Sequence, residues 1–134
     1  MVSVPRNMSI QIGKKGRKSF KKGLYAYVGS ALGPGGLRAR ILRHLRKEKK
    51  KFWHVDYLLE KSTVDEVIII ESNKKLECFI AGKLAENGLE MIENFGCSDC
   101  RCPSHLFRIE NKERLLDVLE ELGLGFYVLE LKKT

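Results

Sequence analysis

A chain of 134 residues is long enough to bury one core and too short for two comfortable ones, so a single domain spanning 1–134 is expected. Hydrophobic residues make up 43% of it, which supports a packed interior. No apolar run approaches the ~18 residues of a membrane span, and no signal-peptide pattern follows Met1, so the expected class is a cytoplasmic α/β protein with no membrane partner. The formal charge of +8 favours a polyanionic partner, because each phosphate neutralised by Lys or Arg releases condensed counterions; charge alone does not separate nucleic-acid binding from a solvated basic surface.

Residues 8–12 alternate in polarity, 13–16 turn on glycines, and 18–20 lead onward, which predicts a strand pair with its lysines along a wet edge. From Gly23, the alternation of Leu24, Ala26 and Val28 with Tyr25, Tyr27 and Gly29 predicts a half-buried strand, and Gly33 to Gly36 with Pro34 can only be loop. A helix then starts near Leu37. Its apolar stripe is Leu37, Ile41 and Leu45, and Arg40 and His44 share one flank, one turn apart, beside the strand's tyrosines. The charge run 46–51 reads either as a solvated helix end or as a set of phosphate contacts. A second short helix over 52–59 should bury Trp53 and Leu58, while His54 and Tyr57 are the polar residues able to reach a site; an ordinary hydrogen-bonded histidine is the competing reading of His54.

The β-branched run Val67-Ile68-Ile69-Ile70 predicts a central strand within 64–71. Asn73 is the expected cap of a helix that turns Leu76, Phe79, Ile80 and Leu84 inward, with Cys78 as a further candidate. Residues 91–95 feed a cysteine loop, 105–109 form a strand, Asn111 caps a helix to Leu122 that Gly123 and Gly125 end, and 126–131 close the chain as a strand.

Tyr27-Val28-Gly29 resembles the second tripeptide of GIY-YIG nucleases, and Leu37-x-x-Arg40-Ile41-x-x-His44 resembles their helix carrying the catalytic arginine. The longer run from Tyr27 to Gly36 is closer still to a little-characterised archaeal and bacterial branch, sometimes fused to endonuclease III, and the likeness spans about residues 8–109. The resemblance implies an α/β fold with a small antiparallel central sheet flanked by helices, and metal-dependent endonucleolytic cleavage of DNA. It places Tyr27 beside the attacking water or its base and Arg40 on the scissile phosphate, with His44 and His54 as further catalytic candidates. A helix glutamate, Glu77 with Glu86 as its rival, would hold one Mg²⁺ or Mn²⁺. Arg38, Arg43, Arg46, Lys49, Lys50 and Lys51 would meet backbone phosphates, and a DNA-repair protein such as endonuclease III is an implied partner.

The first tripeptide of that family is missing. Gly23-Leu24-Tyr25 lies two residues before Tyr27, too close for a separate strand, so the family's first strand falls on 1–4, which carries no tyrosine. That departure keeps open a second reading, a nucleic-acid-binding module that does not cut.

Cys97, Cys100, Cys102 and His105 form C-x2-C-x-C-x2-H, a set of soft and borderline donors that tetrahedral zinc accepts. The alternative is a tight turn in which Asp99 and Ser104 bond backbone groups and the thiols pack as small hydrophobes. If zinc is structural, an adaptor role is a third reading. The crowded spacing does not resemble the disulfide framework of a secreted chain.

Overall fold

The computed structural model describes residues 1–13, 16–29, 36–45, 54–70, 76–93, 95 and 104–131, with the backbone alone for 37–40 and 54. In chain order the elements are β1 (Val2–Val4), β2 (Met8–Gln11), β3 (Arg17–Phe20), β4 (Gly23–Tyr27), α1 (Gly36–Leu45), α2 (His54–Glu60), β5 (Thr63–Val64), β6 (Glu66–Ile69), α3 (Glu77–Glu86), β7 (Glu90–Met91), β8 (Leu106–Ile109), α4 (Lys112–Glu121) and β9 (Tyr127–Glu130). Five of the strands form one antiparallel sheet in the order β5-β1-β4-β8-β7. The expected α/β architecture, a small antiparallel sheet flanked by helices, is the one observed.

The centre of that sheet is β4, and the alternation of its side chains supplies two cores at once. Tyr25 and Tyr27 point to a layer built from the β2–β3 hairpin and α2, where Ile10, Ile12, Phe20, Val55, Leu58, Leu59, Phe95 and Leu106 pack together. Leu24, Ala26 and Val28 point the other way, against Ile80, Ala81 and Leu84 of α3 and Leu115, Val118 and Leu119 of α4. The expectation of a half-buried strand is therefore corrected. Tyr25 is 1% exposed, its hydroxyl donating to the Lys21 carbonyl at 2.7 Å while its ring meets Phe20 edge-on. A tyrosine reads as the polar member of an alternating pair, yet one satisfied hydroxyl lets the whole ring go inside.

The hairpin follows its sequence. Met8, Ile10 and Phe20 turn inward, whereas the pairs Ser9 with Ser19 and Gln11 with Arg17 face outward. Gly13 turns the chain at φ +49°, and a Cβ there would stand 3.1 Å from the Tyr57 hydroxyl, so both conformation and space call for glycine. Lys18, expected at a wet edge, is half-buried and donates from Nζ to the Glu93 carbonyl at 2.7 Å.

Three apolar expectations change. The run Val67 to Ile70 does not enter the central sheet; β6 pairs with β9 in a separate two-stranded ribbon, in which Tyr127, Val128 and Leu129 are exposed. Glu66 and Glu130 stand opposite each other there, and Lys112 Nζ offsets the repulsion by meeting Glu66 at 2.6 Å. Phe79 is 48% exposed on α3 and lies under the Lys83 ammonium, 5.7 Å from its ring centroid. Leu45, placed on the inner stripe of α1, is 36% exposed. The expected Asn73 cap and Trp53 lie outside the described residues; Leu76 stands at the N-cap of α3 and gives it no side-chain cap, whereas Asn111 caps α4 as expected, accepting from the Glu113 amide at 2.9 Å.

Leu84 is 1% exposed between α3 and the sheet, and Leu42 is 50% exposed on α1. Leu84→Ala should cost about 2–5 kcal/mol and Leu42→Ala under about 0.5 kcal/mol, measured as midpoint shifts in denaturant unfolding.

Candidate functional site

At the end of β4 the chain places Tyr27 against α1. Its ring meets the His44 imidazole edge-on at 6.2 Å between centroids, and on another side it meets Phe95 at 6.4 Å. Two residues on, Gly29 passes so close that a Cβ would lie 3.3 Å from the Tyr27 ring. The tripeptide Tyr27-Val28-Gly29 is thus a local unit in which the bare glycine backbone leaves room for the tyrosine. Tyr27 and His44, both expected at the site, are brought together.

An ion pair absent from the sequence reading ties α1 to α2. Arg43 donates from Nη1 and Nη2 to the two oxygens of Asp56, each at 2.9 Å, and Asp56 is 1% exposed. Asp56 raises the Arg43 pKa above its ordinary value chiefly through these hydrogen bonds, and burial opposes the shift. Arg43 was expected among the phosphate-facing cations; its planar fork is committed to Asp56 instead, fixing α1 to α2 beside Tyr27. One signal could have revealed this. Asp56 is a carboxylate between Val55 and Leu58 on a helix face bound for the core, where an ionised group needs a partner.

The other half of the expected site lies across the sheet. The His105 carbonyl accepts from the Val28 amide at 2.9 Å, which puts His105 at the same strand end as Tyr27, but its imidazole faces α3. Its Nε2 is 3.8 Å from Cys78 Sγ, and Glu77, the first residue of α3, is half-buried close enough to stabilise the imidazolium. Glu86, the rival carboxylate, is exposed at the far end of α3 and pairs with Lys83 at 3.2 Å.

Arg40 occupies α1 one turn before His44, Arg38 lies two residues before it, and His54 opens α2; their side chains, and Arg46, Lys49, Lys50, Lys51, Cys97, Cys100 and Cys102 altogether, lie outside the described residues. For a hard divalent ion one carboxylate with phosphate oxygens suffices, and Glu77 is a carboxylate that could supply it. For zinc, bond lengths of about 2.3 Å to sulfur and about 2.0 Å to nitrogen imply a donor separation of about 3.6 Å across a tetrahedral edge, close to the 3.8 Å between Cys78 and His105. Among the described residues no third such side chain joins them.

Two tests follow from this geometry. Arg43→Ala takes the two charge-assisted hydrogen bonds away from the buried Asp56 carboxylate and should cost about 3–5 kcal/mol, whereas Asp56→Ala leaves a guanidinium that water can reach and should cost less, about 1–3 kcal/mol, by denaturant unfolding. Burial, opposed by Glu77, holds the His105 pKa below its ordinary value. The unfolded chain therefore binds that proton more tightly, so the stability is fully present above about pH 6.5 and declines as pH falls from there towards the folded value. Between pH 7.5 and 5.5 the wild type should lose more stability than His105→Asn; equal losses would mean that the buried imidazole protonates without cost.

No helix among the described residues is long and apolar enough to cross a membrane. Comparison with known proteins gives one assignment, a family model described as a domain of unknown function, DUF123, matching residues 1–127. No curated protein and no solved structure matches the chain. A match over nearly the whole length, taking in both faces of the sheet at the Tyr27 end, settles the membership: this chain belongs to the DUF123 family.

Proposed function

We propose that the protein is a metal-dependent endonuclease of the GIY-YIG type that cleaves DNA phosphodiester bonds. The observation that carries this reading is the meeting of Tyr27 with His44, with Gly29 against the tyrosine ring and Arg40 one turn before the histidine on α1. These are the positions whose spacing resembles the family motif. β1 lying antiparallel beside β4 supports it too, since the resemblance puts the family's first strand on 1–4.

Cleavage needs a nucleophile, neutralisation of charge growing on the phosphorus oxygens, and support for the leaving oxygen. Tyr27 and His44 offer a phenol and an imidazole at one point, able to orient a water and take its proton. Arg40 would hold the phosphate with a guanidinium whose donors match its oxygens. A Mg²⁺ or Mn²⁺ ion on Glu77 would supply further neutralisation of phosphate charge when bound. Because Tyr27 and Glu77 stand on opposite faces of the sheet, the phosphate would lie across the end of β4, where both faces meet. A binding module without cleavage is the second reading. It is favoured by β1, which sets Val2 opposite Tyr25 and contributes no tyrosine.

The two readings separate under paired cleavage and binding assays with Mg²⁺ or Mn²⁺ on duplex, nicked and branched DNA. Arg40→Ala should lower turnover roughly a hundredfold or more while changing affinity little, and Arg40→Lys should rescue it poorly. Glu77→Gln should abolish metal-dependent cleavage and Glu86→Gln should be nearly silent. If Arg40→Ala cuts as well as wild type, the nuclease reading fails.

A further inference from the structure

Charge is not spread evenly along this chain. Residues 1–47 hold twelve of the 25 Lys and Arg and no Asp or Glu, the first carboxylate side chain being Glu48; residues 48–134 hold the other thirteen cations and all 17 acids. Five of those twelve cations lie in or beyond α1. The other seven, Arg6, Lys14, Lys15, Arg17, Lys18, Lys21 and Lys22, lie in and around the β2–β3 hairpin, which the DNA-cleavage reading does not use.

We propose that the outer face of this hairpin, with the Lys21–Lys22 corner, is a second binding surface for the DNA backbone, separate from α1. The proposal rests on DNA being the partner and not on cleavage. The outward face is chemically uniform: Ser9, Gln11, Arg17 and Ser19 are all exposed, and every one can donate a hydrogen bond. Arg17 reaches across the ribbon, donating from Nη2 to the Ser9 carbonyl at 2.9 Å and from Nε to Ser9 Oγ at 3.2 Å, so its guanidinium is held flat on the surface with further donors to spare. The corner is equally fixed. The Lys21 carbonyl accepts from Tyr25, the Lys22 amide donates to Asn7 Oδ1 at 2.8 Å, and both lysine side chains are exposed.

Position matters as much as charge. The inner face of the hairpin packs in the layer that contains Tyr27 and α2, and its Gly13 turn rests against Tyr57. Hairpin, α2 and Tyr27 therefore share one side of the sheet, so a duplex lying across the Tyr27 end can reach the ribbon as well. A two-stranded ribbon is also of a size that a DNA groove admits. The same face argues against other anionic partners. It offers no apolar side chain to insert into a lipid interface and no aromatic anchor for a protein partner.

The test measures how affinity for a random-sequence duplex depends on salt, since each lost phosphate contact lowers the slope of log K against log salt by about 0.9. Arg17→Gln/Lys21→Gln/Lys22→Gln should flatten the slope by about 2–3 and weaken binding roughly tenfold or more, equally across duplex sequences. Lys83→Gln, on the opposite side of the sheet, should leave the slope unchanged. Since Arg17 also ties the hairpin together, Lys21→Gln/Lys22→Gln is measured beside the triple variant, and thermal unfolding checks that each stays folded; the pair should flatten the slope by about 1–2. If wild type binds duplex with a steep slope and neither variant changes it, the hairpin proposal is wrong while DNA binding stands. If wild type does not bind duplex at all, both fall. Equal loss of binding to phosphatidylserine vesicles without loss on DNA would overturn it in favour of a membrane surface.

Discussion

The double burial of β4 is the constraint on which everything else rests. A five-residue strand whose alternate side chains enter two different cores has no solvent face to absorb an error. A slip of one residue against β1 or β8 would exchange the two sets, sending Tyr25 and Tyr27 towards α3 and Ala26 into the aromatic layer. The same alternation sorts the residues at the strand end between two layers. Tyr27, the last residue of β4, belongs to the α1 and α2 side, while the next residue, Val28, bonds through its backbone to His105, whose ring belongs to the α3 side. One strand end thus reaches both layers within two residues.

Local signals were legible and long-range ones were not. The β2–β3 hairpin, the strand over 106–109, the Asn111 cap and the Tyr27–His44 meeting follow from alternation, glycine placement and helical periodicity, all of which are near-neighbour properties. Val67 to Ile70 was misplaced because a β-branched run states that a strand forms and says nothing of its partner; here the partner is β9, more than fifty residues on. Phe79 and Leu45 were misplaced because an apolar residue at the right spacing can still sit at the edge of a stripe. Arg43 was missed for a further reason. A basic residue among basic residues looks solvent-facing, and only the fold brings a buried carboxylate to it from α2.

That pairing also shapes the electrostatics of the surface. Asp56 takes one cation out of an otherwise unopposed positive segment and spends it on geometry, so α1 is aimed by a rigid two-point contact. A buried pair of this kind is screened by salt far less than exposed charges are.

The β6–β9 ribbon has a consequence for how the molecule assembles. Its pairing joins residues 66–69 to 127–130, so the closing loop takes in almost half the chain, and the entropy of that closure must be met before any contact in the ribbon rewards it. Every residue of β9 is exposed, so little burial repays the cost. The β2–β3 hairpin closes a loop of only a few residues and carries its own buried side chains. The hairpin can therefore form early by itself, and the ribbon, whose closure little burial repays, is the part that can open while the layer beneath Tyr27 stays closed.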